Sequence, residues 1–123
     1  MFKVCRRDIH DVEPIEYRGG TLLSTGMAVT VNTSDNSIKA SGTSVPTHII
    51  VGEKSNGVWG AIRIQPTTVY ETTSTVAVTT PGLAVQINSG GLDVNATTGG
   101  AFLVEYTENK TNGIVRGRFK KEV

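Results

Sequence analysis

Residues 26–41, GMAVTVNTSDNSIKAS, and residues 82–97, GLAVQINSGGLDVNAT, are two versions of one phrase. Gly26 matches Gly82, and the register holds without a gap to Ser41 and Thr97, a constant offset of 56 positions. Each copy opens with an alternating apolar run: Met27, Val29 and Val31 in one, Leu83, Val85 and Ile87 in the other. A polar turn follows, then a shorter run around Ile38 or Val94. Apolar residues at every second position mark a strand with one buried face, and Ser-Asp-Asn or Ser-Gly-Gly between two such runs marks a hairpin. The similarity is concentrated at the strand and entry positions, where a structural repeat requires it. The chain therefore reads as a scaffold of repeated β-hairpins, with no segment organised around a reactive residue. That moves the functional question from catalysis to surfaces.

The same spacing continues outside the repeat. Residues 48–51 form a short apolar strand, and 59–65 alternates with Ile62 and Ile64 on one face. The Thr-rich stretch 67–80 reads as two strands broken near 72–74. Phe102, Val104 and Tyr106 share a face of the next strand. Asn109–Gly113 then predicts a turn, because Asn-Gly tolerates the positive φ of tight hairpins. No window carries a helical period. Short strands separated by turns about every 8–12 residues predict an all-β fold, a small β-barrel or β-sandwich of antiparallel strands and hairpins. Residues 1–20 are charged and irregular, with Pro14 and Gly19-Gly20, and read as an extended N-terminal arm. Residues 21–123 then form one all-β domain containing the hairpins 26–41 and 82–97.

Composition narrows the function. Twelve basic and eleven acidic residues leave a net charge of +1, without the concentrated basic field that nucleic acid requires. Aromatic residues make up only 6%, too few for extended stacking platforms. Cys5 is the single cysteine, which excludes an intrachain disulfide and a zinc cluster. No apolar stretch approaches the ~20 residues of a membrane helix. Charges occupy the N-terminal region where a secretory signal would place its apolar segment, so the expected site of synthesis is the cytoplasm.

The residues that could carry chemistry do not assemble into a pattern. Asp8, His10, Asp11 and Glu13 are the densest group of metal-ligating types, but they lack the turn glycine and distal Glu of a calcium loop. His48 sits in an apolar strand and reads as a hydrogen-bonded strand histidine, since a general base needs a nucleophile and an orienting partner. Cys5 lies beside Arg6 and Arg7, yet near a terminus that offers no preorganisation. No catalytic residue, metal site or cofactor is expected, and the chain does not read as an enzyme.

The charges themselves are patterned. Lys3, Arg6 and Arg7 lie at one end, and Arg116, Arg118, Lys120 and Lys121 at the other. Arg116, Arg118 and Lys120 alternate with Val115, Gly117 and Phe119, so the basic residues project from one face of the last strand and the others face the core. Such a strand either protects a sheet edge or forms a contact surface for an acidic partner. The candidate contact residues are Phe2, Lys3, Val4, Arg6, Arg7, Arg116, Arg118 and Lys120.

Several stretches, taken in order, carry a resemblance. They are Glu13–Tyr17, Gly26–Val29, Ile38–Thr43, Pro46–Ile49, Ala61–Ile64, Gly91–Val94 and the basic C-terminal strand. Together, over roughly residues 13–119, they resemble small capsid decoration, or head-stabilising, proteins encoded in head modules of tailed phages and prophages of Gram-positive bacteria. The resemblance implies a β-tulip-like barrel on the outside of an assembled shell. It also implies a major capsid protein as partner, a homo-oligomer (a trimer foremost), and an N-terminal arm that adds a strand to the shell. No nucleic acid or membrane partner is implied. The location would be the virion surface, after assembly in the host cytoplasm. A carbohydrate- or ligand-binding β-module is the alternative, with Trp59 between Gly57 and Gly60 as its one aromatic platform, or else as the plug of the core.

Overall fold

The computed structural model of the protein describes residues 1–7 and 14–120. Its strands are β1 (Lys3–Arg6), β2 (Ile15–Gly19), β3 (Ala28–Val31), β4 (Ile38–Ala40), β5 (His48–Ser55), β6 (Val58–Arg63), β7 (Val69–Ser74), β8 (Ala84–Ile87), β9 (Val94–Thr98), β10 (Phe102–Thr107) and β11 (Gly113–Phe119). They build two sheets, β2-β6-β5-β3-β4 and β1-β7-β11-β10-β8-β9. In the second, Ser74 on β7 also pairs in parallel with Val94 on β9, which closes β7, β11, β10, β8 and β9 into a barrel. The fold is all-β, as the period-two runs predict. The Thr-rich stretch yields one strand where two were expected. β7 ends at Ser74, and the residues after it form a loop that buries Val78 and leaves Val76 exposed.

The repeat reaches far beyond the two hairpins. Strands β2 to β6 and β7 to β11 take the same spatial order within their sheets, first-fifth-fourth-second-third. The hydrogen bonds correspond one by one. Gly26 N–H donates to Ile50 O at 2.8 Å, and Gly82 N–H to Val104 O at 2.7 Å. Ile50 N–H donates to Met27 O at 3.0 Å, and Val104 N–H to Leu83 O at 2.9 Å. At the hairpin turns, Asn32 N–H meets Ser37 O and Asn88 N–H meets Asp93 O, at 2.7 and 2.9 Å. Gly26 and Gly82 both stand at positive φ, +80° and +91°, which explains glycine at the head of both copies. Even the irregularity repeats, since the β5–β6 register slips between Ile50 and Gly52 as β10–β11 slips between Val104 and Tyr106. The parallel closure has its counterpart at Gly20 and Ile38, where a Cβ on Gly20 would lie 2.6 Å from the Ile38 carbonyl oxygen.

The second copy departs in one respect within the hairpin. Val31 faces Ile38 as Ile87 faces Val94, but Val29 faces Ala40 whereas Val85 faces Thr98. A bulge in the β8–β9 ladder accounts for the difference.

The core has two parts. Tyr70, Val85, Ile87, Val94, Phe102, Val104, Val115 and Phe119 fill the closed barrel, and Ala28, Ile49 and Ile62 from the first sheet pack against them. Met27, Val29, Ile38, Ile50 and Ala61 form a smaller cluster within the first sheet.

Residues 1–20 depart from the expected free arm. Residues 3–6 pair antiparallel with β7, and residues 15–19 pair with β6, so the described parts of this segment belong to the two sheets. Phe2 is 2% exposed, with its ring 5.6 Å from that of Phe102 and 5.1 Å from that of Phe119. The barrel has a gap among its aromatic residues, and the N-terminal phenylalanine fills it. The acidic group Asp8, His10, Asp11 and Glu13 lies outside the described residues, as does Lys121.

Candidate interaction surfaces

Directly paired residues on antiparallel strands share a face, so the ladder shows which side chains stand together. On the inner side of the first sheet, Glu16 accepts Nε2–H from His48 at 3.0 Å and an N–H from Arg18 at 2.8 Å. Arg63 approaches the same carboxylate at 3.7 Å. Thr47 Oγ1 lies 2.8 Å from His48 Nδ1. Burial raises the Glu16 carboxyl, but the hydrogen bonds from His48 and Arg18 outweigh it and hold Glu16 below the usual carboxylate range. Burial dominates at His48 and pushes it below the ordinary imidazole value. His48 has no exposed surface and both ring nitrogens are engaged, so neither offers a free position to a bound molecule. The expected hydrogen-bonded strand histidine is what the structure holds.

The outer face of the second sheet gathers charges from both chain ends. β1 and β11 flank β7, and Glu71 on β7 takes Lys3 at 3.0 Å and Arg116 at 2.8 Å. The Arg116 and Lys3 hydrogen bonds keep Glu71 below its ordinary value. Arg116 also lies over the Tyr106 ring, 4.9 Å from its centroid, and Arg118 bonds Glu105 at 2.5 Å and the Thr67 carbonyl at 3.2 Å. Arg6 and Cys5 border the same area, with Arg116 and Tyr106 around a depression of about 270 Å³. The alternation in the last strand is as expected: Val115, Gly117 and Phe119 are buried, and Arg116 and Arg118 face out.

Of the candidate contact residues, Lys3, Arg6, Arg116 and Arg118 come together on this face. Val4 is half-buried against the core, and Lys120 lies beside Arg63 on another cleft, of about 220 Å³. Arg7 is exposed just past the end of β1. Phe2 must be removed from the set, because the aromatic core holds it. Cys5 is exposed but sits in β1, not on a free segment. Trp59, the platform of the carbohydrate reading, is half-buried and packs against the smaller core cluster.

The outer face of the first sheet is the surface that sequence reasoning missed. Ile15 and Tyr17 on β2 stand opposite Ile62 and Gly60 on β6, with Val51 beside them. Ile62 is buried under Phe2 and the barrel, but Ile15, Tyr17 and Val51 are 50%, 54% and 44% exposed. The apolar face thus runs out from beneath the N-terminal residues into solvent. A signal existed in the alternation of Ile15 and Tyr17 with Glu16 and Arg18, hidden by the charged residues before it. Among the described residues, no group of three His, Cys, Asp or Glu side chains is placed to hold a metal ion. Comparison of the chain with protein-family models, curated proteins and solved structures finds no match.

Proposed function

We propose that the protein is a structural component of a phage particle, a head decoration protein that binds the outside of the capsid shell and stabilises it without catalysing a reaction. The resemblance of residues 13–119 to that family supports the reading. The observation that carries it furthest is the meeting of the two chain ends at Glu71, where Lys3 and Arg116 join Arg6 and Arg118 on one strand-held face. A surface fixed on paired strands spends little ordering entropy on docking. A lattice that presents many sites then turns modest contacts into firm attachment. The partner is an acidic surface of the major capsid protein. The face replaces the arm as the means of contact, because freeing β1 would pull Phe2 from the core.

The test is cosedimentation with purified expanded shells. The parent protein should pellet with shells at a fixed ratio, and added salt should weaken the binding. The double variant Arg6→Glu, Arg118→Glu should stay folded by circular dichroism and bind at least about tenfold more weakly. Parent protein that stays in the supernatant would overturn the decoration reading. A double variant that binds like the parent would overturn the choice of face.

A further inference from the structure

The duplication shows what belongs on an edge that the first half leaves open. In the second half, β1 covers the edge of β7 next to its barrel closure, with Lys3, Val4 and Arg6 opposite Glu71, Tyr70 and Val69. The matching positions on β2 are Tyr17, Glu16 and Ile15, each 54 residues earlier. Among the described residues, no strand pairs with β2 on that edge. There the backbone offers ladder hydrogen bonds, flanked by the exposed side chains of Ile15 and Tyr17. Exposed edges of this kind are templates for strand addition, and β2 has no lysine, proline or bulge within its five residues; its two inward charges, Glu16 and Arg18, are opposite in sign and already bond each other.

We infer that the occupant is β2 of a second copy of this chain, paired antiparallel about Tyr17 to join the two first-half sheets into one. The sequence Ile15-Glu16-Tyr17-Arg18-Gly19 is complementary to itself in that register. Glu16 of each copy then faces Arg18 of the other, two opposite-charge cross-strand pairs on one side of the sheet. On the other side Tyr17 faces Tyr17, and Ile15 faces Gly19, where the nearest atom to an added Cβ is the Gly57 oxygen at 3.7 Å. The bulky residue therefore meets the empty position. Centring the pair on Glu16 or on Arg18 instead sets like charges opposite each other, which disfavours those registers. The joined face also covers apolar surface continuous with the core through Ile62.

Sedimentation equilibrium of the full chain over a wide concentration range tests the pairing. The mass should rise from one chain to two and stop there. Tyr17→Lys places two ammonium groups face to face, and should give a monomer throughout, with the circular dichroism of the parent and a melting temperature that no longer rises with concentration. In a Cys5→Ser background, Tyr17→Cys should oxidise to a covalent dimer, since directly opposed Cα atoms lie ~4.5–5.5 Å apart, within disulfide reach. Val51→Cys in the same background should not. A parent chain that stays monomeric or assembles as a trimer overturns the inference. So does a Tyr17→Lys chain that dimerises like the parent, or a Tyr17→Cys chain that fails to cross-link. The Tyr17→Lys chain keeps Arg6 and Arg118, so loss of self-association and loss of shell binding are read separately.

Discussion

Between residues 15 and 63 the inner side of the sheet holds Glu16, Arg18, His48 and Arg63, while the outer side holds Ile15, Tyr17, Gly60 and Ile62. Between 69 and 119 the matching inner positions are Tyr70, Thr72, Phe102 and Phe119, and the outer ones Val69, Glu71, Arg116 and Arg118. The two halves share matching backbone hydrogen bonds and reverse the polarity of their faces at most of these positions, Ile15/Val69 and Arg18/Thr72 excepted. What decides the polarity is what covers each face. The second barrel is plugged by Phe2, and its aromatic residues pack edge to face at 5.1–5.6 Å. Among the described residues the first sheet has no such plug, and a carboxylate shared by His48 and two arginines lies at the matching positions, with each polar group paired as burial requires. On the outer side the second half is covered by its own β1 and is charged beyond it. In the first half no strand among the described residues covers that edge, and Ile15, Tyr17 and Val51 are exposed there, with Lys54 over the Tyr17 ring.

Removing the plug should have the largest effect. Phe2→Ala should lower stability by about 3–5 kcal/mol in urea unfolding, because the aromatic residues around it cannot collapse into the space. A loss under about 1 kcal/mol would mean that residues 1–7 are not part of the core. Gly117 and Ala61 occupy matching positions, so reciprocal substitutions probe the same layer in both halves. Gly117→Ala should cost about 3 kcal/mol or more, since an added Cβ would run into the Leu103 backbone. Ala61→Gly should cost only about 1 kcal/mol. Equal costs would show that the two halves do not pack differently at this layer.

The polar filling of the first half predicts a pH dependence just below neutrality that the second half, with no histidine between residues 69 and 119, lacks. His48 is held below its unfolded value of 6.5, so between those values the unfolded chain binds the proton that the native chain refuses. Stability is therefore full above about pH 6.5 and falls as the pH drops through the window below it. The depressed Glu16 adds a further loss at lower pH, as its carboxylate is protonated. His48→Gln keeps a hydrogen-bonding side chain and should flatten the stability profile just below pH 6.5 in thermal melts. A variant that retains the parent slope would assign it to another group.

Where the two faces keep the same polarity in both halves, the fold is legible in the sequence. Val29, Val31 and Ile38 have Val85, Ile87 and Val94 as counterparts at a constant offset of 56, and the alternation of the last strand reads directly as Val115, Gly117 and Phe119 inward. The rest of the duplication is hidden for two physical reasons. Backbone ladders do not depend on side chains, so Glu16 can stand for Tyr70 and His48 for Phe102 without any trace of similarity. The offset also shortens to 54 at β2 and β5, because loops absorb insertions that strands cannot. Phe2 gives no periodic signal at all. Its burial depends on Tyr70, Phe102 and Phe119, which the topology brings together from distant positions. For the same reason the basic clusters of the two chain ends read correctly as charged strands, while their meeting at Glu71 does not show until β7 lies between them.

Amide hydrogen exchange at matching edges tests whether one repeated unit has its edge covered in one half and, among the described residues, unpaired in the other. In dilute protein the amides of residues 15–17 that point away from β6 should exchange fast, while those of 69–71 that point to β1 stay protected. As concentration rises, protection should appear at the outward amides of residues 15, 17 and 19 and nowhere along β3 to β6. Equal protection of both edges in dilute protein would show that the two edges are covered alike, and no change with concentration would show that no second copy pairs there.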